Sequence, residues 1–225
     1  MAITKRDVEI VEWVNLHGFV LAEQVQEFFG LGKTVVYRRL KEMVEQGVLK
    51  RERILYDYGN VYWVTKDGVE LCESEMAAGK KPSVNNFVHD KKLVDLSVKL
   101  LKKYEGSSWI TARQIKSRLV KKASEKDKFK ALAMRVADGI LIVNEKKYAV
   151  ELELSLKNRT RVKQIISDYA ERIAKGQYVS VIYVVEKESI AKVLREEMSQ
   201  TVVSDRFQIM KLGVFAHPFE KSRLK

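Results

Sequence analysis

The strongest constraint on the fold lies in the first third of the chain, where three helix-periodic stretches closed by glycine run directly into two short β-like stretches. In the first, Thr4 to Leu16, the residues Val8, Ile10, Val11, Val14 and Leu16 fall at helical spacing behind Thr4 as N-cap, and Gly18 ends it. The second runs from about Leu21 to Phe29 and is closed by Gly30 and Gly32. The third, Lys33 to Glu45, places Val35, Val36, Leu40, Met43 and Val44 on one stripe and ends at Gly47. Val48 to Tyr56 and Val61 to Thr65 then flank Asp57-Tyr58-Gly59-Asn60, whose glycine and asparagine suit the positive φ of a tight hairpin turn. Three helices and a hairpin in this order predict a winged helix-turn-helix over residues 1–76.

In such a domain the third helix enters the major groove of double-stranded DNA, with side chains near its N-terminus reaching base edges. The apolar stripe leaves Lys33, Thr34, Tyr37, Arg38 and Lys41 facing outward, and the hairpin adds Arg51, Arg53 and Tyr58. Lysine and arginine donate to guanine or phosphate, while tyrosine and threonine contact phosphate or a thymine methyl. The alternative is a protein-binding winged helix whose basic residues are only solvated.

Charge sharpens the choice of partner. The net charge of +12 and pI near 9.6 favour a polyanion, since each phosphate neutralised by lysine or arginine releases counterions. Residues 1–80 carry 11 Lys+Arg against 13 Asp+Glu, so the surplus lies further along; residues 91–130 alone hold 13 against 4. With 46% hydrophobic residues, the 225-residue chain has material for one large or two small cores. No stretch approaches a membrane span or a signal-peptide h-region, which predicts a cytoplasmic protein. The single cysteine, Cys72, excludes an internal disulfide framework and reads as a packing residue.

The polar stretch 77–86 contains one of two prolines and is the expected linker. Beyond it, 87–225 reads as a mixed α/β domain. Phe87 to Tyr104 is an amphipathic helix, Trp109 to Ile115 a short strand, and Lys116 to Lys130 a charged, exposed loop. Two strands, Ala137 to Val143 and Tyr148 to Leu154, are joined by a turn at 144–147. Helix Arg159 to Ala174, the apolar strand Val179 to Val185, helix Ser189 to Met198 and a strand near Gln208 to Val214 complete it.

Within that domain, Asp138 opens one strand and Glu151 and Glu153 lie on one face of the next, because strand side chains alternate. Three carboxylates on one face repel each other and are costly to desolvate, so such a cluster calls for a cation. Mg²⁺ or Mn²⁺, with waters and phosphate oxygens, fits the donors and the needs of phosphodiester hydrolysis. The alternative is a solvated acidic edge.

This spacing resembles the restriction-endonuclease-like PD-(D/E)xK nucleases, with Ala137 in place of the proline and Glu153 where lysine is expected. That resemblance implies Asp138 and Glu151 as metal ligands, Glu153 completing the site or orienting water, and Lys157 as a displaced amine that stabilises the phosphate. The order of features as a whole resembles the replication-relaxation family of plasmid and mobile-element proteins. The residues that carry it are Val61-Tyr-Trp-Val-Thr65 with Gly68, His89-Asp90, Trp109, Ala137-Asp138-Gly139, Glu151-Leu-Glu153 and Asp168-Tyr169. It implies a winged helix joined to a nuclease-like domain, acting in plasmid replication control, mobilisation or DNA processing alongside other replication or mobilisation proteins. Two functions follow: a metal-dependent DNA nickase or endonuclease, and a non-catalytic transcriptional or replication regulator whose degenerate nuclease-like domain mediates homodimerisation. His89 and Asp90 either approach the metal or open a helix, and His17 and His217 are isolated. No phosphate-binding loop of the ATPase type occurs.

Overall fold

The computed structural model describes residues 3–213; the expected strand end at Val214, and His217, lie outside the described residues. Within them the fold is mixed α+β, with nine α-helices and two sheets. The described residues form two compact units, 3–103 with 111–136 and 104–110 with 137–213. No helix among the described residues is long and apolar enough to cross a membrane.

The first unit opens with α1 (Lys5–His17), β1 (Val20–Leu21), α2 (Ala22–Phe29) and α3 (Lys33–Glu45). Thr4 caps α1 in a reciprocal box: its hydroxyl accepts from the Asp7 amide and the Asp7 carboxylate accepts from the Thr4 amide, 2.7 Å away. Strands β2 (Leu49–Glu52) and β3 (Val61–Val64) follow, and the sheet order is β1-β3-β2, antiparallel throughout. Ile10, Val14, Val25, Val36, Leu40 and Met43 form the core between the three helices and this sheet. Two expectations fail here. Val35 is 40% exposed, on the outer face of α3 rather than in its stripe. The tight hairpin turn is instead a longer loop, 53–60, in which neither Gly59 nor Asn60 has positive φ. Arg53 closes that loop by donating to the carbonyls of Tyr58 (3.2 Å) and Tyr56 (2.6 Å), so a side chain does the work expected of a turn.

The boundary expected at 77–86 is not where the units divide. That stretch follows α4 (Lys66–Leu71) and is stitched to the first unit: Gly79 donates to the Val64 carbonyl at 3.0 Å. A Cβ at Gly79 would meet the Gly18 carbonyl at 2.8 Å, so only glycine permits the approach. Helix α5 (Phe87–Lys103) also packs in this unit, burying Phe87, Val94 and Val98 in its cores. Each such side chain contributes about 1.5 to 3 kcal/mol, which explains why α5 joins the first unit. Gln24 adds bonds to the Lys91 carbonyl (3.0 Å) and to Asp95 (2.6 Å).

The charged stretch expected as a loop at 116–130 is largely helical. After β4 (Ser108–Thr111) come α6 (Ala112–Lys122), a 3₁₀ turn at Glu125–Asp127 and α7 (Lys128–Ala133). Thr111 and Gln114 form a second capping box that starts α6. Arg113 then fastens the helix by donating to the carbonyls of Asn15 (3.2 Å) and Ala77 (3.1 Å).

The second unit is built on a five-stranded sheet, ordered β4-β5-β6-β7-β8. Strands β5 (Gly139–Val143) and β6 (Lys146–Glu153) are antiparallel across a two-residue turn whose members, Asn144 and Glu145, both have positive φ (47° and 63°). Strands β7 (Ser180–Val185) and β8 (Phe207–Lys211) run parallel to β6, connected by α8 (Arg159–Ala174) and α9 (Glu188–Met198). The two helices pack against each other, and their apolar faces meet Tyr183 of β7.

Candidate functional site

All seven residues expected to contact DNA are exposed. On α3, Lys33, Thr34, Tyr37, Arg38 and Lys41 share the outer face, because Val36, Leu40 and Met43 turn the opposite stripe into the core. Arg38 and Lys41 lie 3.8 Å from Glu42 and 3.6 Å from Glu45, each one helical turn on. Such exposed pairs contribute about 0.3 to 0.5 kcal/mol, less than the about 1 to 3 kcal/mol of a bidentate base contact, so they yield readily to an anionic ligand.

The neighbouring basic residue has a different task. Arg39 turns inward, donating through Nε to Asp7 Oδ1 at 2.8 Å and through its other nitrogens to Asp7 Oδ2 and Glu42. Burial pushes the Asp7 carboxyl up, but hydrogen bonds from Arg39 and Thr4, with the Arg39 charge, outweigh it and leave the pKa below the ordinary aspartate value. This pair fixes α3 to the first turn of α1. Sequence reading missed it because Arg38 and Arg39 look alike as neighbours; the helical phase separates them.

The hairpin residues divide as well. Arg51 pairs across the strands with buried Tyr62. Burial pushes the Tyr62 hydroxyl up, the charge and hydrogen bond of Arg51 pull it back, and the Tyr37 hydroxyl of α3 adds to the rise. Arg51 stands exposed on β2, the strand that packs against α3. Arg53, by contrast, spends donors on its own loop and lies 5.0 Å over the Tyr56 ring. Tyr58 turns away from solvent, its ring 5.1 Å from that of Phe87. The exposed aromatic of this loop is Tyr56, 85% accessible, which the sequence reading did not single out.

Structure also relocates the charge. Among the described residues, the first unit holds 26 Lys+Arg against 17 Asp+Glu, net +9, and the second 13 against 12, net +1. The basic run 91–130, with its α5, α6 and α7, belongs almost wholly with the helices and hairpin of the first unit.

The carboxylates of the second unit are adjacent but separately engaged. Extending the β5–β6 register by one residue sets Asp138 opposite Glu151, and Asp138 Oδ2 accepts from the Leu152 amide at 2.9 Å. Glu151, 3% exposed, lies beneath α8 and accepts from the buried Tyr169 hydroxyl. Glu153, 6% exposed, is ion-paired with Lys157 at the end of β6. No group of three His, Cys, Asp or Glu residues converges as a metal site among the described residues. Among the donors to these carboxylates are the Leu152 amide for Asp138, the Tyr169 hydroxyl for Glu151 and the Lys157 ammonium for Glu153. Tyr169 was legible in principle, since Val162, Ile165, Ile166 and Tyr169 follow the buried stripe of α8. Tyr169→Phe is expected to destabilise the second unit by about 1 to 3 kcal/mol, measured by chemical denaturation, because it strips a buried carboxylate of a donor.

His89 and Asp90 contact each other at 3.1 Å in the first turn of α5, in the first unit, whereas the carboxylates belong to the second. His17 packs edge-on to Trp13 at 4.8 Å, and burial pushes its pKa down to about 3, so it is neutral at physiological pH. Cys72 packs on the first core, and burial raises its thiol pKa, which disfavours the reactive thiolate. No protein-family model matches this chain, and no curated protein sequence is similar to it.

Proposed function

We propose that this protein binds double-stranded DNA through a winged helix-turn-helix formed by α1 to α3 and β1 to β3, with α3 as the helix that enters the major groove. The observation that carries the reading is the partition of α3. Lys33, Thr34, Tyr37, Arg38 and Lys41 stand outward on one face, while Arg39 anchors the helix from behind. Arg51 on β2 extends that face, and the unit's charge of +9 supplies the attraction to phosphate. The second unit acts as a nuclease-like scaffold without cleavage, in a regulator of transcription or of plasmid or mobile-element replication. What favours this over a metal-dependent nickase is the engagement of Asp138, Glu151 and Glu153 by an amide, a tyrosine and a lysine.

Two assays test the two halves. Arg38→Ala is expected to weaken binding to a duplex enriched from a random pool by about 1 to 3 kcal/mol, while leaving a scrambled duplex nearly unchanged. Equal weakening on both duplexes would reduce Arg38 to a phosphate contact. Supercoiled DNA incubated with wild type and Mn²⁺ is expected to stay closed; nicking that Glu151→Ala abolishes would restore the enzyme reading.

A further inference from the structure

Residues 112–134 carry eight Lys+Arg and two Asp+Glu, and both acids are engaged locally: Glu125 with Lys128, and Asp127 with the Ser124 hydroxyl at 2.6 Å. The segment folds as an arm, in which α7 packs back on α6 with Ala131 buried between them. Arg118 and Lys122 lie one turn apart on α6 and share a face. Both are exposed, as are Lys126 in the 3₁₀ turn and Lys130 on α7. Between these lysines stands Phe129, 84% exposed, with Leu132, 55% exposed, three residues on along the same helix face. An exposed phenylalanine flanked by unburied cations leaves a large apolar side chain in water beside positive charge.

We propose that this α6–α7 arm is a second, sequence-independent contact with duplex DNA, in which Arg118, Lys122, Lys126 and Lys130 neutralise backbone phosphates and Phe129 with Leu132 presses into the minor groove. The inference rests on the proposed duplex binding by α3 and says where the non-specific hold resides. The dense positive charge selects a polyanion. An apolar wedge beside lysines is the combination by which proteins grip a minor groove without reading bases. The apolar area of α7, six residues long, is too small for a helix that rests in a lipid interface, which needs a long apolar face.

The test compares the wild-type chain, a quadruple glutamine variant of the four basic residues, Phe129→Ser, and Arg38→Ala. Each is measured against an enriched and a scrambled duplex over a range of salt. The quadruple variant is expected to lose at least about tenfold in affinity on both duplexes, with the slope of log affinity against log salt reduced by about 3. Phe129→Ser is expected to weaken both duplexes several-fold with the slope and the oligomeric state unchanged. An unaltered slope in the quadruple variant overturns the proposal. So does a Phe129→Ser chain that changes its oligomeric state, or its binding to phosphatidylserine vesicles, while its DNA affinity is unaffected. Failure of the α3 reading looks different: there Arg38→Ala leaves discrimination between the duplexes intact, whatever the arm variants do.

Discussion

Replacing Arg39 by alanine is expected to destabilise the first unit by about 3 to 5 kcal/mol, several times the effect of Arg38→Ala on the same helix. Arg39 is the partner that allows Asp7, 1% exposed, to stay ionised inside the protein. Without the guanidinium, Asp7 keeps only its Thr4 contacts, and the burial that opposes its charge is no longer offset. The pH dependence carries a sign that separates this pair from general loss of packing. Because the folded pKa of Asp7 is depressed, its contribution is complete above the ordinary aspartate range, near 3.8, and is lost as pH falls through the lower folded value. Urea denaturation at several pH values should therefore show the gap between wild type and Arg39→Ala closing below about pH 4. A gap that stays constant with pH would mean that the aliphatic stem, not the ion pair, holds α3.

Gly139→Val is expected to be the most damaging single change in the second unit. A Cβ at this position would lie 1.8 Å from Cζ2 of Trp109 and within 2.5 Å of two more indole carbons. The indole is thus laid directly on the Gly139 backbone. Overpacking of an ordinary core costs about 1 to 3 kcal/mol, and a clash with a rigid ring leaves no small rotation that relieves it. Loss of the Trp109 environment on unfolding gives the readout, by tryptophan fluorescence during denaturation. A variant as stable as wild type would show that the ring can leave the sheet freely.

These two positions also mark what the sequence made legible. The bounds of α3 and α8 follow from apolar stripes that begin and end sharply, so Lys33–Glu45 and Arg159–Ala174 were readable to the residue. Helix α6 was hidden by its lysines, which make its composition look like a solvated loop, and by a strand pattern at Trp109 that runs into it. The readable signal was Thr111-x-x-Gln114, a capping box. The division into units could not be read locally, because α5 joins the first unit through Phe87, Val94 and Val98, contacts fixed only once β1 and β3 have paired. For the carboxylates, strand alternation gave the shared face of Glu151 and Glu153. Their partners depended on the tertiary placement of Tyr169 and Lys157, which no spacing within β6 encodes. The basic surplus could be counted along the chain, but which unit carries it depended on the fold of α5 to α7.

We propose that the outer face of α3 reads the major groove. Methylation interference on an enriched duplex tests it most directly, since methyl groups at guanine N7 block the major groove and those at adenine N3 the minor groove. Interference is expected at discrete guanine N7 positions, with at least one position released in Arg38→Ala while the complex still forms. Complex formation that tolerates N7 methylation throughout the site, in wild type and variant alike, would contradict it.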